Sequence, residues 1–209
     1  MINYNTKEFF TRYVIEFGRF NEQQKDGLKF LLTKISESKR LPLVEMKAYV
    51  LATVKFETAG TFQPVTEYGS QSYLKAKPYY PYIGRGFCQL TWRSNYLKFG
   101  KVLGIDLIEN LDLAKEPETA WKIMEMGMTD NFGIQDPDFT GFTLEDFFNK
   151  GKIDFENARK IVNPKDYKTY KPIARIAEAF QRCLKVSEIE QANEAAVPLS
   201  VSDVLNDKI

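Results

Sequence analysis

Hydrophobic positions in this chain recur mostly at three- and four-residue intervals, the spacing of amphipathic helices rather than of alternating strands. Asn21 and Gln24 have the spacing of a capping box, and Leu28, Leu31, Leu32 and Ile35 then mark one helical face. Pro42 opens a second helix, predicted from Leu43 to about Thr58. Its apolar residues (Val44, Met46, Ala48, Tyr49, Val50, Leu51, Ala52, Val54, Phe56) run nearly all the way round, as a central buried helix requires. Between Gly60 and Ile83 the pattern breaks at Pro64, Gly69, Pro78 and Pro81, where loops and a short hairpin are expected. Helices resume near Trp92. Pro117 suits the first turn of a helix carrying Ala120, Trp121, Ile123 and Met124. Thr143 and Asp154 are candidate N-caps for two shorter helices, the second bearing Ala158, Ile161 and Val162. Pro172 opens the last helix, with Ile173, Ile176, Ala177, Phe180 and Leu184 inward. The spacing thus predicts one mainly helical domain over 1–185 with an irregular insert near its middle. A small, polar, acidic and weakly ordered tail is expected over 186–209.

Composition narrows the chemistry more than the fold. The 209 residues suffice for a core that needs neither disulfide nor metal support. There is no histidine, which excludes Ser-His-Asp and Cys-His nucleophile systems, His-ligated zinc and a histidine general base. Formal net charge is +1; the segment from Val186 onward carries −4, which leaves +5 for the body. A mildly basic body suits an anionic partner and is equally ordinary for solubility. Cys88 lies in an apolar run and Cys183 on a predicted buried helix face, so both read as buried free thiols, with one disulfide as the alternative. No stretch approaches the ~18 apolar residues of a membrane span. The N-terminal residues lack the charged start and apolar run of a signal peptide, so synthesis in the cytosol is expected.

Glu57 is the chemical anomaly. It ends the most apolar helix in the chain, where partial desolvation favours the neutral carboxyl and prepares it to donate a proton. Glu67 follows in the polar turn Pro64–Gly69, where a carboxylate is expected to stay ionised. Two carboxyls in opposed environments suit glycoside hydrolysis, one protonating the leaving oxygen and the other activating water. The ten-residue spacing does not decide between retention and inversion. On that spacing alone, the plainer reading is that Glu57 ends a helix and pairs with a lysine such as Lys55. The next segment adds rings, Tyr79-Tyr80-Pro81-Tyr82, which can stack on sugar faces. It then runs through Gly84-Arg85-Gly86-Phe87-Cys88-Gln89-Leu90-Thr91-Trp92 to Asn95-Tyr96. Core packing explains most of the 29 aromatic residues. Gly84-Arg85-Gly86 is no phosphate loop, since neither a third glycine nor Lys-Ser/Thr follows.

These blocks, with Ala48–Thr53, Phe56–Ala59, Glu67–Gly69, Gly104–Asp106, Asn110–Ala114 and Ala158–Asn163, resemble in order the signature segments of family 19 glycoside hydrolases. The closer resemblance is to the branch of phage and prophage endolysins related to plant class I chitinases, over roughly Asn21 to Lys185. The resemblance implies a lysozyme-like, mainly α fold with a cleft between two lobes and a small β-hairpin or loop element beside it. It implies Glu57 as general acid and Glu67 as general base of an inverting hydrolysis, with Thr91 helping to hold the attacking water. Gln89 and Asn95 match sugar-contacting positions, and Asn163 matches a cleft asparagine. Tyr82 and Arg85 join the substrate-binding candidates, Arg85 reading chiefly as an anchor of the cleft wall. One departure stands out: the residue before the acid is commonly histidine in the family and is Phe56 here. The central glutamate chemistry does not need that histidine.

The expected activity is an endolysin-type N-acetylmuramidase cutting the glycan strands of bacterial peptidoglycan. A chitinase acting on N-acetylglucosamine polymers, or a secreted wall-degrading toxin with the same site, is the alternative. No cofactor, metal or nucleic-acid partner is expected, and the chain is expected to act as a monomer. It would reach the cell wall through a phage-made lesion or dedicated export. Zinc amidases and Cys-His peptidases, the other wall-lytic chemistries, cannot be built without histidine.

Overall fold

The computed structural model describes residues 3–129 and 138–189. Among them are seven α-helices: α1 (Thr6–Phe17), α2 (Glu22–Glu37), α3 (Val44–Glu57), α4 (Gln71–Lys75), α5 (Arg93–Leu103), α6 (Pro117–Met128) and α7 (Tyr170–Ser187). Short 3-10 turns and three two-stranded antiparallel pairs of minimal length complete the described chain. The mainly helical architecture agrees with the hydrophobic spacing.

Every residue of α3 from Met46 to Val54 is buried, so this helix is enclosed on all sides, as its all-round apolar pattern requires. α7 packs along it, and α1 packs on α7. One continuous cluster of buried side chains draws on α1, α2, α3, α5, α6 and α7. Burying a large apolar side chain contributes about 1.5–3 kcal/mol, so the buried run of α3 contributes substantially to stability. It ends where the backbone reverses: Ala59 and Gly60 have φ of 50° and 76°, and the Gly60 N–H returns to the Lys55 carbonyl at 2.7 Å. Thr58 secures the reversal, donating its hydroxyl to the Val54 carbonyl and accepting from the Phe62 N–H. Glu57 is thereby fixed on the final turn.

Several elements differ from the sequence expectation. The elements read from the sequence begin at Asn21, and α1 precedes them. The Asn5 side chain caps it by accepting from the N–H groups of Lys7 and Glu8, and Phe9 and Tyr13 are buried. Phe9, Tyr13 and Phe17 of α1 pack with Phe180 of α7. Thr143 heads a short 3-10 turn rather than an α-helix. Glu156, not Asp154, heads the 3-10 turn Asn157–Ile161, although the Asp154 carboxyl accepts from the Asn157 N–H. Pro172 lies inside the first turn of α7, which begins two residues earlier. Val186 and Ser187 still belong to α7, and Glu188–Ile189 pairs with Asn3–Tyr4, so these residues are ordered and not part of a loose tail. The remainder of the expected tail, 190–209, lies outside the described residues. Both cysteines are buried free thiols.

In the irregular insert, Val65–Thr66 pairs not with a near neighbour but with Arg85–Gly86, and α4 lies between the two strands. This pairing draws the Glu67 turn against the Gly84–Trp92 segment.

Candidate active site

Four separate parts of the chain wall a cleft of about 520 Å³. The end of α3 brings Glu57; the insert brings Glu67 and Tyr79; the segment from Gly84 to Asn95 brings Gln89, Thr91, Trp92 and Asn95. Arg159 and Asn163, from the 3-10 turn Asn157–Ile161 and the loop after it, close the other side. Of the residues singled out in the sequence, Glu57, Glu67, Gln89, Thr91, Asn95 and Asn163 line this one cleft.

Glu57 is almost buried, and its Oε1 accepts a hydrogen bond from Nη1 of Arg159 at 2.6 Å. Burial pushes its carboxyl above the ordinary carboxylate range. The Arg159 guanidinium pulls it down, and Asp166 beyond pushes it up again. Burial wins, so the group keeps its proton at higher pH than an exposed glutamate would. Lys55, the partner suggested by sequence, plays no part here. Its ammonium lies against the rings of Tyr13, Phe17 and Phe62, 4.9 Å from the Phe17 centroid.

Arg159 is itself 4% exposed and tied on several sides: Nη1 to Glu57, Nε to the Thr169 hydroxyl at 3.1 Å, and Nη2 near Asp166 at 3.6 Å. No role is assigned to it from sequence. The only signal available there is that a carboxyl ending an apolar helix needs a cation. With 29 lysines and arginines in the chain, and this partner 102 positions away, spacing cannot choose it.

Glu67 is held differently. Its Oε1 accepts from the Tyr79 hydroxyl and its Oε2 from the Gly84 N–H, both at 3.0 Å. Each oxygen keeps a lone pair, so the carboxylate is aimed without being used up. The Tyr79 phenol is raised above its usual range by desolvation and by the carboxylate it donates to, so it stays a donor. Its ring meets Trp92 edge to face, with centroids 5.2 Å apart. Half-exposed Trp92 is a ready surface for a sugar ring.

The segment between these groups is a tight loop closed by reciprocal Arg85–Leu90 backbone hydrogen bonds. Gly86 has φ of 84°, and a Cβ there would meet the Ala114 carbonyl oxygen at 2.7 Å, so glycine is required. Gln89 and Trp92 hold left-handed φ values of 54° and 73° without being glycine, a strain of about 1–3 kcal/mol each that clusters at functional sites. Gln89 donates to the Val65 and Gly86 carbonyls. Thr91 donates its hydroxyl to the Gln89 carbonyl at 2.7 Å, which leaves its oxygen to accept a hydrogen from a water in the cleft. Asn95 donates to the Thr91 carbonyl, and Asn163 is exposed at the rim.

Two of the substrate-binding candidates do not line the cleft, and Arg85 sits as the anchor of the wall that its chief reading expects. Arg85 is buried behind the cleft wall, donating to Asp112, to the Pro81 and Ile83 carbonyls and to the Tyr96 hydroxyl. Tyr82 packs edge to face on Tyr96 at 5.6 Å rather than lining the cleft. Adjacency in sequence does not fix the direction of a side chain in an irregular segment, and these two point inward. Among the described residues no three carboxylates or cysteines converge as a metal site requires.

No family model matches the chain. Over 63 residues it is 40% identical to Endochitinase 1 of Theobroma cacao, a stretch covering 27% of this chain and 20% of that protein. Over 50 residues, 21% of this chain and 16% of the relative, it is 44% identical to Inactive chitinase-like protein 1 of Hevea brasiliensis. The matched stretches thus span about a fifth of the curated relatives' length. The fold superposes on a bacterial family 19 chitinase with a TM-score of 0.54 and 22% identity, covering 90% of this chain and 97% of the other. The chain thus shares the fold of a bacterial family 19 chitinase and, over a short stretch, is similar in sequence to plant endochitinases.

Proposed function

We propose that this chain hydrolyses a polymer of N-acetylated hexosamines by single displacement. Glu57 donates a proton to the glycosidic oxygen, Glu67 takes a proton from water, and the Thr91 hydroxyl helps position that water. The observation that carries the reading is the pairing of unlike carboxyls on one cleft. One is nearly buried and shifted upward by that burial; the other is held by hydrogen bonds from the Tyr79 hydroxyl and the Gly84 N–H. The aromatic edge at Trp92 and the amides of Gln89, Asn95 and Asn163 suit a sugar chain bearing N-acetyl groups.

Within that reading we infer peptidoglycan as the substrate, cut as by an N-acetylmuramidase of the endolysin type. The resemblance of the ordered motif blocks to endolysins supports it, and so does the +5 body facing an anionic wall. A second reading, chitin, is favoured by the names of the relatives and of the structural neighbour. Mass spectrometry of digested walls and of chitin oligomers separates the two. Fragments ending in reducing N-acetylmuramic acid are expected; intact peptidoglycan beside cleaved chitin oligomers assigns the chain to chitin instead.

A further inference from the structure

The Arg159 guanidinium is a flat group whose N–H bonds run in its own plane to Glu57 and Thr169, with Asp166 3.6 Å from Nη2. Those contacts fix the group within the plane and leave its faces to be held by something else. Phe56 lies against the cation as well: the Arg159 Cζ sits over its ring, 5.2 Å from the centroid. This phenylalanine stands beside Glu57 on the last turn of α3 and is 37% exposed, so core packing does not account for it. Neighbours on a helix point about 100° apart. Phe56 and Glu57 nonetheless converge on the same cation, Phe56 through its ring and Glu57 through its carboxyl oxygen.

We propose that Phe56 is a positioning residue for the proton donor, its ring face clamping Arg159 and, through Arg159, the Glu57 carboxyl. The proposal rests on the reading of Glu57 as general acid. It gives a use to the position where the family that the chain resembles commonly carries histidine. A protonated imidazole there would repel the guanidinium, whereas a phenyl face attracts it. Leucine at the same site would cover the same surface without a quadrupole, so ring chemistry and mere apolar cover can be told apart.

The groups facing Glu57 are Arg159 and Asp166 from the far wall, Tyr49 from α3 and Cys88 from the tight loop, with Tyr170 of α7 near Arg159. Of these only Arg159 carries the positive charge that draws the Glu57 proton off. A looser Arg159 therefore lets the Glu57 midpoint rise. The test compares Phe56→Leu, Phe56→Tyr and Phe56→Trp, with carbon-13 NMR titration of the Glu57 carboxyl and with kcat on glycan oligomers. The Glu57 resonance is assigned by its loss in Glu57→Gln.

Phe56→Leu should raise the Glu57 midpoint by about half a pH unit and lower kcat about fivefold, the scale of one partly exposed cation–π contact. Tyr and Trp should restore both, and KM should change little in any variant. If Leu behaves as Phe does in the titration, or if Tyr and Trp fail to restore it, Phe56 is apolar cover and the proposal falls. The titration needs no turnover, so it decides the role of Phe56 even if Glu57→Gln proves fully active and overturns the assignment of the acid.

Discussion

A buried carboxyl beside a guanidinium is pulled two ways, and at Glu57 the loss of solvation outweighs the cation. That balance has a consequence for stability. A carboxyl whose pKa is raised on folding contributes stability that is fully present below its unfolded value. The contribution is lost as pH rises through the folded value. Glu57→Gln removes the titration while keeping an oxygen for Arg159. The melting temperature of the variant relative to wild type should therefore climb as pH is raised from about 4, the ordinary carboxylate range, towards neutrality. A difference that stays flat across that range would mean that Glu57 is not raised. At this scale the sequence was informative where composition and position agree: an acid at the end of an apolar helix is costly wherever it points, so Glu57 could be singled out. Arg159 could not be, because its meaning lies in a contact 102 residues away. Tyr82 and Arg85 sit in the right segment but face inward, a direction that the motif alone does not carry.

Regular elements were legible where one period persists. The all-round apolar run predicts α3 nearly to its ends, and the Asn21–Gln24 capping box fixes the start of α2. α1 escaped because its buried face is short and aromatic and its capping residue stands close to the chain start. The pairing of Val65–Thr66 with Arg85–Gly86 has no local signature at all, since its partners are joined only through the tertiary fold. Arg85 shows what holds that pairing against the body. It links the Pro81 and Ile83 carbonyls to Asp112, and Asp112 also pairs with Lys115. Arg85→Met should remove a donor from the Pro81 carbonyl and one of the two from the Ile83 carbonyl, and cost about 1–3 kcal/mol in chemical denaturation. KM for glycan oligomers should move far less than stability, because the guanidinium does not line the cleft. A large rise in KM with unchanged stability would restore Arg85 as a substrate contact.

Across the whole molecule, the cleft is assembled by long-range packing: α3 is set by α7, the insert is tied back by strand pairing, and Arg159 reaches across to Glu57. Helical class and the order of the motif blocks were readable from sequence, because both are local. The meeting of Glu57, Glu67 and Arg159 on one surface was not, because only the folded chain brings them together. Likeness in fold does not by itself secure activity, and one of the similar plant proteins is an inactive chitinase-like protein. The central claim is that Glu57 supplies the proton that breaks the glycosidic bond. Turnover of purified peptidoglycan and of chitin oligomers by wild type and Glu57→Gln, compared at matched folded concentration, tests it most directly. Loss of a positioned general acid should reduce kcat by about 100- to 10,000-fold on whichever polymer wild type cuts, with the circular dichroism spectrum unchanged. Turnover by the glutamine variant within about tenfold of wild type would contradict the account.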